Sequence, residues 1–204
     1  MMTGKKHDWC LVGFIWVFVV VVFHSTVEAQ INKIELSIEE VADQKTPYLN
    51  YPVSVLVQES SGLVLISDWA NDRLVITDQN GKTQKIIPGL GGPVGMVYDS
   101  ATNRIYLTEQ KTNRIRILDG STFSPVGELK IQGITLNEPR GLWMDNDRKI
   151  YLVDTMNSRI VVFDDKGTLI STIGKEGMGN DEFYYPRGVS VDSQGRIWMT
   201  DTLH

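Results

Sequence analysis

Four acidic residues recur at near-constant spacing: Asp68, Glu109, Asp154 and Asp201, separated by 41, 45 and 47 positions. Arginines follow the first three at a fixed offset, as Arg73, Arg114 and Arg159. A series of carboxylates could hold calcium or share protons in acid–base work. The regular recurrence argues otherwise. A pair that returns once per unit does what every unit needs, so these read as structural acid–arginine pairs. Other chemistry lacks parts. The histidines are His7, His24 and His204, and the one cysteine is Cys10. They cannot assemble a histidine-held zinc centre or a Ser-His-Asp set. Cysteine catalysis and an intrachain disulfide are equally out of reach. No metal and no cofactor is read from the sequence.

Residues that differ between units are better recognition candidates. Arg140 and Arg187 each follow a leading proline and occupy equivalent positions. Two guanidinium groups there could bind a carboxylate or phosphate. The competing reading pairs them with neighbouring acids such as Glu138. Trp69, Tyr51 and Tyr185 offer aromatic contact on the same side, and Asn71, Lys111 and Met156 lie in turns there.

These residues are positioned by a repeat. Pro52, Pro93, Pro139 and Pro186 open four units, at 51–88, 93–131, 139–174 and 186–204. The third unit reads as four short apolar runs, "RGLWMD", "KIYLVD", "RIVVFD" and "LISTIG", punctuated by Asn, Asp, Ser and Gly. Runs apolar at nearly every position fit strands covered on both faces. The fold class is all-β, an array of four-stranded propeller blades. Antiparallel order places the start of each first strand and the turn between second and third strands on one side. The apolar and acidic stretch Leu36–Gln44 could form a helix, in competition with a strand at 34–38.

The third unit carries Pro139, Gly141, Asp145, Ile150, Tyr151, Asp154, Thr155, Asn157, Arg159, Phe163, Asp164 and Gly167. The fourth carries Pro186, Gly188, Asp192, Gly195, Ile197, Trp198, Asp201 and Thr202. This pattern resembles the NHL repeat, with Ser54 and Glu109 as departures in the first two units. The connection through Gly177, Gly179, Phe183 and Pro186 is similar to the one NHL blades use. The resemblance covers residues 51–204. It implies an NHL-type β-propeller with three full blades and a half blade, part of a five- or six-bladed ring. It also implies three possible roles: a binding module, an extracellular lyase or lactonase-like enzyme, or an RNA-binding domain. Lyases of this kind use histidine-held metal, which this chain cannot build alone.

The net charge of −5 over 204 residues disfavours nucleic acid as a partner. Lys5, Lys6 and His7 precede an apolar run, Cys10–Phe23, and "VEA" at Val27–Ala29 offers a cleavage site. This is the layout of a secretory signal at 1–29. Fourteen apolar residues fall short of the roughly 20 that span a bilayer. An uncleaved anchor over residues 9–27 is the alternative, and the one route to a membrane partner. The expectation is a secreted, periplasmic or cell-surface protein that binds an unidentified protein, peptide, glycan or small ligand. Residues 30–50 include a candidate closing strand at Asn32–Glu40. Closed propellers have typically 4–8 blades. The sequence therefore reads as a fragment or interrupted product, or a short form completed by another chain, with self-association through its half blade.

Overall fold

The structure, a computed structural model, describes residues 48–202, all within one compact unit. The expected signal or anchor (1–29), the segment expected as a closing strand or helix (32–44) and His204 lie outside the described residues.

Blade 1 comprises β1 (Pro52–Gln58), β2 (Leu63–Asp68), β3 (Arg73–Thr77) and β4 (Thr83–Pro88). Blade 2 comprises β5 (Pro93–Asp99), β6 (Arg104–Glu109), β7 (Arg114–Asp119) and β8 (Pro125–Leu129). Blade 3 comprises β9 (Pro139–Met144), β10 (Ile150–Asp154), β11 (Arg159–Phe163) and β12 (Leu169–Ile173). A short parallel pair, β13 (Lys175–Glu176) with β14 (Glu182–Phe183), leads to β15 (Pro186–Val191) and β16 (Ile197–Asp201). Within each blade every strand pairs antiparallel with the next in sequence. The first strands β1, β5, β9 and β15 pack against one another in succession and form the inner layer. The all-β propeller expected from the repeat is the fold observed. Among the described residues, no helix is long and apolar enough to cross a membrane.

The apolar runs are explained by stacking. One core lies between blades 1 and 2, with Leu65, Leu74, Ile76, Met96, Ile105 and Leu107. A second lies between blades 2 and 3, with Val97, Tyr106, Ile115, Leu142, Leu152 and Phe163. In β6, Ile105 and Leu107 face one neighbour and Tyr106 faces the other. Both faces are covered, so apolar residues fill nearly every position of the run.

Each first strand has a register shift near its proline, between Pro52 and Ser54, Pro93 and Met96, and Pro186 and Gly188. The glycine there makes room for the next blade. A Cβ on Gly141 would stand 2.6 Å from the Arg187 carbonyl oxygen, and one on Gly95 would run into the Arg140 carbonyl. Hydroxyls fasten the same seam. Ser67 Oγ donates to Val94 O at 2.7 Å, and Thr108 Oγ1 donates to Arg140 O at 2.7 Å. In blade 3 the position equivalent to Thr108 is Val153, and Thr155 Oγ1 takes over by donating to Pro186 O at 2.8 Å.

Candidate functional site

The turn between second and third strands is a single 3₁₀ turn in all three full blades: Trp69–Asn71, Gln110–Thr112 and Thr155–Asn157. Each ends in a left-handed residue, Asp72, Asn113 or Ser158, with φ between 49° and 55°. Short polar side chains tolerate that conformation. The turns lie beside the start of each first strand, which brings the candidate residues to one face.

The repeated acids hold this face from beneath. Asp68 Oδ1 accepts the Asn50 N–H at 2.6 Å, and Oδ2 accepts from Asn71 at 2.8 Å and Arg73 at 2.6 Å. Asp154 repeats the arrangement with Asn137 N at 2.7 Å, Asn157 at 2.8 Å and Arg159 at 2.8 Å. Asp201 accepts the N–H groups of Tyr184 and Tyr185 at 2.7 and 2.8 Å. Asp68, Glu109 and Asp154 are fully buried. Each arginine lies directly opposite the acid of its own blade. The acid–arginine pairs thus close within each blade.

Glu109 departs from the others. It accepts from Thr112, Arg114 and also Arg116. Burial pushes its carboxyl up, but the hydrogen bonds from Arg116, Arg114 and Thr112 outweigh this and hold it below the usual range. The start of blade 2 is held instead by its neighbour. Asp72 accepts the Gly92 N–H at 2.8 Å, as Asn113 accepts the Glu138 N–H at 2.8 Å.

Above these clamps runs a polar and aromatic row. Tyr51 meets Trp69 with ring centroids 5.6 Å apart. Lys111 Nζ lies 4.7 Å from the Trp69 ring and pairs with Asp72 at 2.7 Å. Trp69 Nε1 donates to Gln110 Oε1 at 2.7 Å, and Gln110 Nε2 donates to Glu138 Oε2 at 2.7 Å. Glu138 Oε2 stands 3.9 Å from Arg140, whose Nη2 donates to the Tyr185 hydroxyl at 3.3 Å. The guanidinium carbons of Arg140 and Arg187 lie 5.5 and 5.1 Å from the centre of the Tyr185 ring. Arg140, Arg187 and Tyr185 are therefore brought together. Trp69 and Lys111 form a second group, tied to Asp72 and Gln110. Met156 is exposed on the turn of blade 3.

The expected pairing of both arginines with acids holds only in its weakest form. Glu138 reaches Arg140 at the edge of ion-pair distance. Arg187 makes no acid contact among the described residues, and its partner is the Tyr185 ring. Gln110 was missed by the sequence reading. Its signal was register: it follows the repeated acid as Trp69 and Thr155 do, yet carries a side chain long enough to cross between blades. The Lys175–Tyr185 connection is held internally, with Glu182 accepting the Gly179 N–H at 2.8 Å and pairing with Lys175 at 3.1 Å. On the opposite face, Arg148 joins Asp99 of blade 2 to Asp165 of blade 3. Among the described residues, no group of three or more His, Cys, Asp or Glu could hold a metal ion.

Comparison with known proteins places this geometry. The DUF5128 family, described as a 6-bladed β-propeller, matches residues 137–203. Among solved structures, a catalytically inactive virginiamycin B lyase from Staphylococcus aureus, determined with quinupristin, superposes with a TM-score of 0.59 at 16% identity. That match covers 74% of this chain and 48% of the lyase. The WD40 β-propeller domain of Doa1 matches with a TM-score of 0.59 at 11% identity, covering 76% of this chain and 49% of that one. The class is a β-propeller. Human and mouse NHL repeat-containing protein 3 are each 28% identical over 71 residues, 33% of this chain. The chain spans only 20% of the length of these curated relatives. With the blade repeat, these matches support an NHL-type β-propeller.

Proposed function

We propose that the chain is an exported binding or scaffolding module. Its loop face, with Trp69, Lys111, Arg140, Met156, Tyr185 and Arg187, takes a protein, peptide, glycan or small ligand. One observation carries the reading. The repeated acids are consumed beneath the face, while the residues that vary between blades present exposed aromatic, apolar and cationic groups above it. Such a mixture is typical of recognition surfaces. Export rests on the basic, apolar and small-residue layout of residues 1–29.

A second reading is part of an extracellular propeller enzyme, with catalytic groups supplied outside these blades. It draws on the likeness of fold to a lyase, and a shared fold does not carry an activity.

The test is binding of the purified full chain to peptide and glycan arrays. Met156→Glu, on the face, should abolish capture, and Lys82→Glu, on the opposite turn, should leave it intact. Equal capture by both variants, or none by the parent chain, refutes the module. Stoichiometric zinc or calcium in the purified protein would favour the enzyme instead.

A further inference from the structure

We infer that Arg140 and Arg187, gathered on the Tyr185 ring, form an oxyanion site, with Glu138 as a built-in competitor that Gln110 holds aside. The inference rests on the loop-face reading and names the chemistry it would recognise: a phosphate or carboxylate group on the ligand.

Two like charges share one ring here, and like charges repel unless an anion joins them. The protein supplies little. Arg140 is mostly buried, its Nε–H has no acceptor, and its nearest carboxylate is 3.9 Å away. Among the described residues, Arg187 has only the ring. Guanidinium groups with free donors are suited to oxyanions, which accept two parallel N–H bonds. Tyr185 is fixed as the platform, because Asp201 accepts its N–H and Pro186 follows.

Glu138 could close on Arg140 and fill the site from within. It is restrained at both ends. Asn113 holds its backbone N–H, and Gln110 Nε2 donates to its carboxylate at 2.7 Å. Gln110 is itself anchored, since its oxygen accepts from Trp69 Nε1. The bond from blade 1 through Gln110 thus keeps the carboxylate of blade 3 from completing its ion pair.

Titration calorimetry of the full chain with inorganic phosphate and with acetate, at ionic strength held constant with chloride, tests this. Saturable binding of either is expected; tighter phosphate assigns a phosphorylated ligand, and tighter acetate a carboxylate one. Arg187→Gln should weaken binding about ten- to hundredfold, the worth of a charge-assisted hydrogen bond. Glu138→Gln should strengthen it about fivefold, from removal of one charge at that separation in high dielectric. Gln110→Leu should weaken it, and Gln110→Leu with Glu138→Gln should return it to the level of Glu138→Gln alone. A structural role for Gln110 would not give that rescue. No saturable binding, indifference to Arg187→Gln, or weaker binding in Glu138→Gln overturns the site. Face-dependent array capture without phosphate or acetate binding sinks this site alone; the reverse sinks the module alone.

Discussion

Glu109→Gln tests whether the repeated acids are structural. The carboxylate is fully buried and serves two arginines and a threonine. An amide keeps the shape but leaves one acceptor oxygen and turns an N–H group toward a guanidinium. Removing one partner of a buried ion pair costs about 3–5 kcal/mol. The Arg114 and Arg116 side chains are 34% and 18% exposed, so water recovers part of this and the expected loss is about 2–3 kcal/mol. In a chain of this size each kcal/mol moves Tm by about 2–4 °C, so Tm should fall by about 4–12 °C. Scanning calorimetry of the full chain reads this, with exposed Glu59→Gln as the control that should stay within about 0.5 kcal/mol. The sign in acid is fixed. A folded carboxyl held below its ordinary value of 4.5 stabilises fully above that pH and loses the contribution as pH falls through its lowered value. The gap between parent and variant should therefore be widest near neutral pH and close below 4.5. A Tm within about 2 °C of the parent at neutral pH, or a gap that ignores acid, would refute the reasoning.

Two further substitutions address the seam between blades. Gly95→Ala forces a Cβ into the Arg140 carbonyl and to 2.8 Å from Leu142 N, both backbone atoms that move only if blade 3 moves. It should cost about 1–3 kcal/mol as a lowered urea midpoint, and an unchanged midpoint would mean the first strands separate freely. Thr108→Val strips a buried hydroxyl that accepts the Gly95 N–H at 2.8 Å and donates to Arg140 O at 2.7 Å. The expected loss is about 1–3 kcal/mol with faster hydrogen exchange at Gly95, and unchanged protection there would count against the seam.

Much of the fold was legible because a repeat reports the same constraint several times. The proline, the glycine two residues later and the acid ending the second strand recur because each blade must start, bulge and clamp in the same way. The continuous apolar runs announced burial on both faces, and Ile105, Tyr106 and Leu107 show it by packing alternately toward blades 1 and 3. The departures were less legible. Glu109 in place of Asp could have signalled a different partner set, since one more methylene carries the carboxylate to a second arginine, Arg116. Glu109 makes no such clamp on its own first strand, whose Gly92 N–H is accepted by Asp72 of blade 1, just as the Glu138 N–H of blade 3 is accepted by Asn113.

The candidate site was legible as a list of residues but not as an arrangement. Arg140 and Arg187 could be placed on one face from register alone, because both follow a proline at the same step of the repeat. What each touches depends on side chains from other blades. Gln110 and Glu138 meet at 2.7 Å across 28 residues of chain, and Arg140 and Tyr185 meet across 45. Sequence spacing cannot weigh those meetings against each other. The spacing put Glu138 nearest to Arg140 and so favoured an ion pair. The hydrogen bond from Gln110 weakens that pair, because the carboxylate oxygen that accepts it at 2.7 Å stands 3.9 Å from the guanidinium. A weak internal ion pair beside an arginine without an acid partner among the described residues is then a specific physical state. It has charge to offer, a rigid aromatic platform beneath it, and a local carboxylate whose removal should make it bind more tightly.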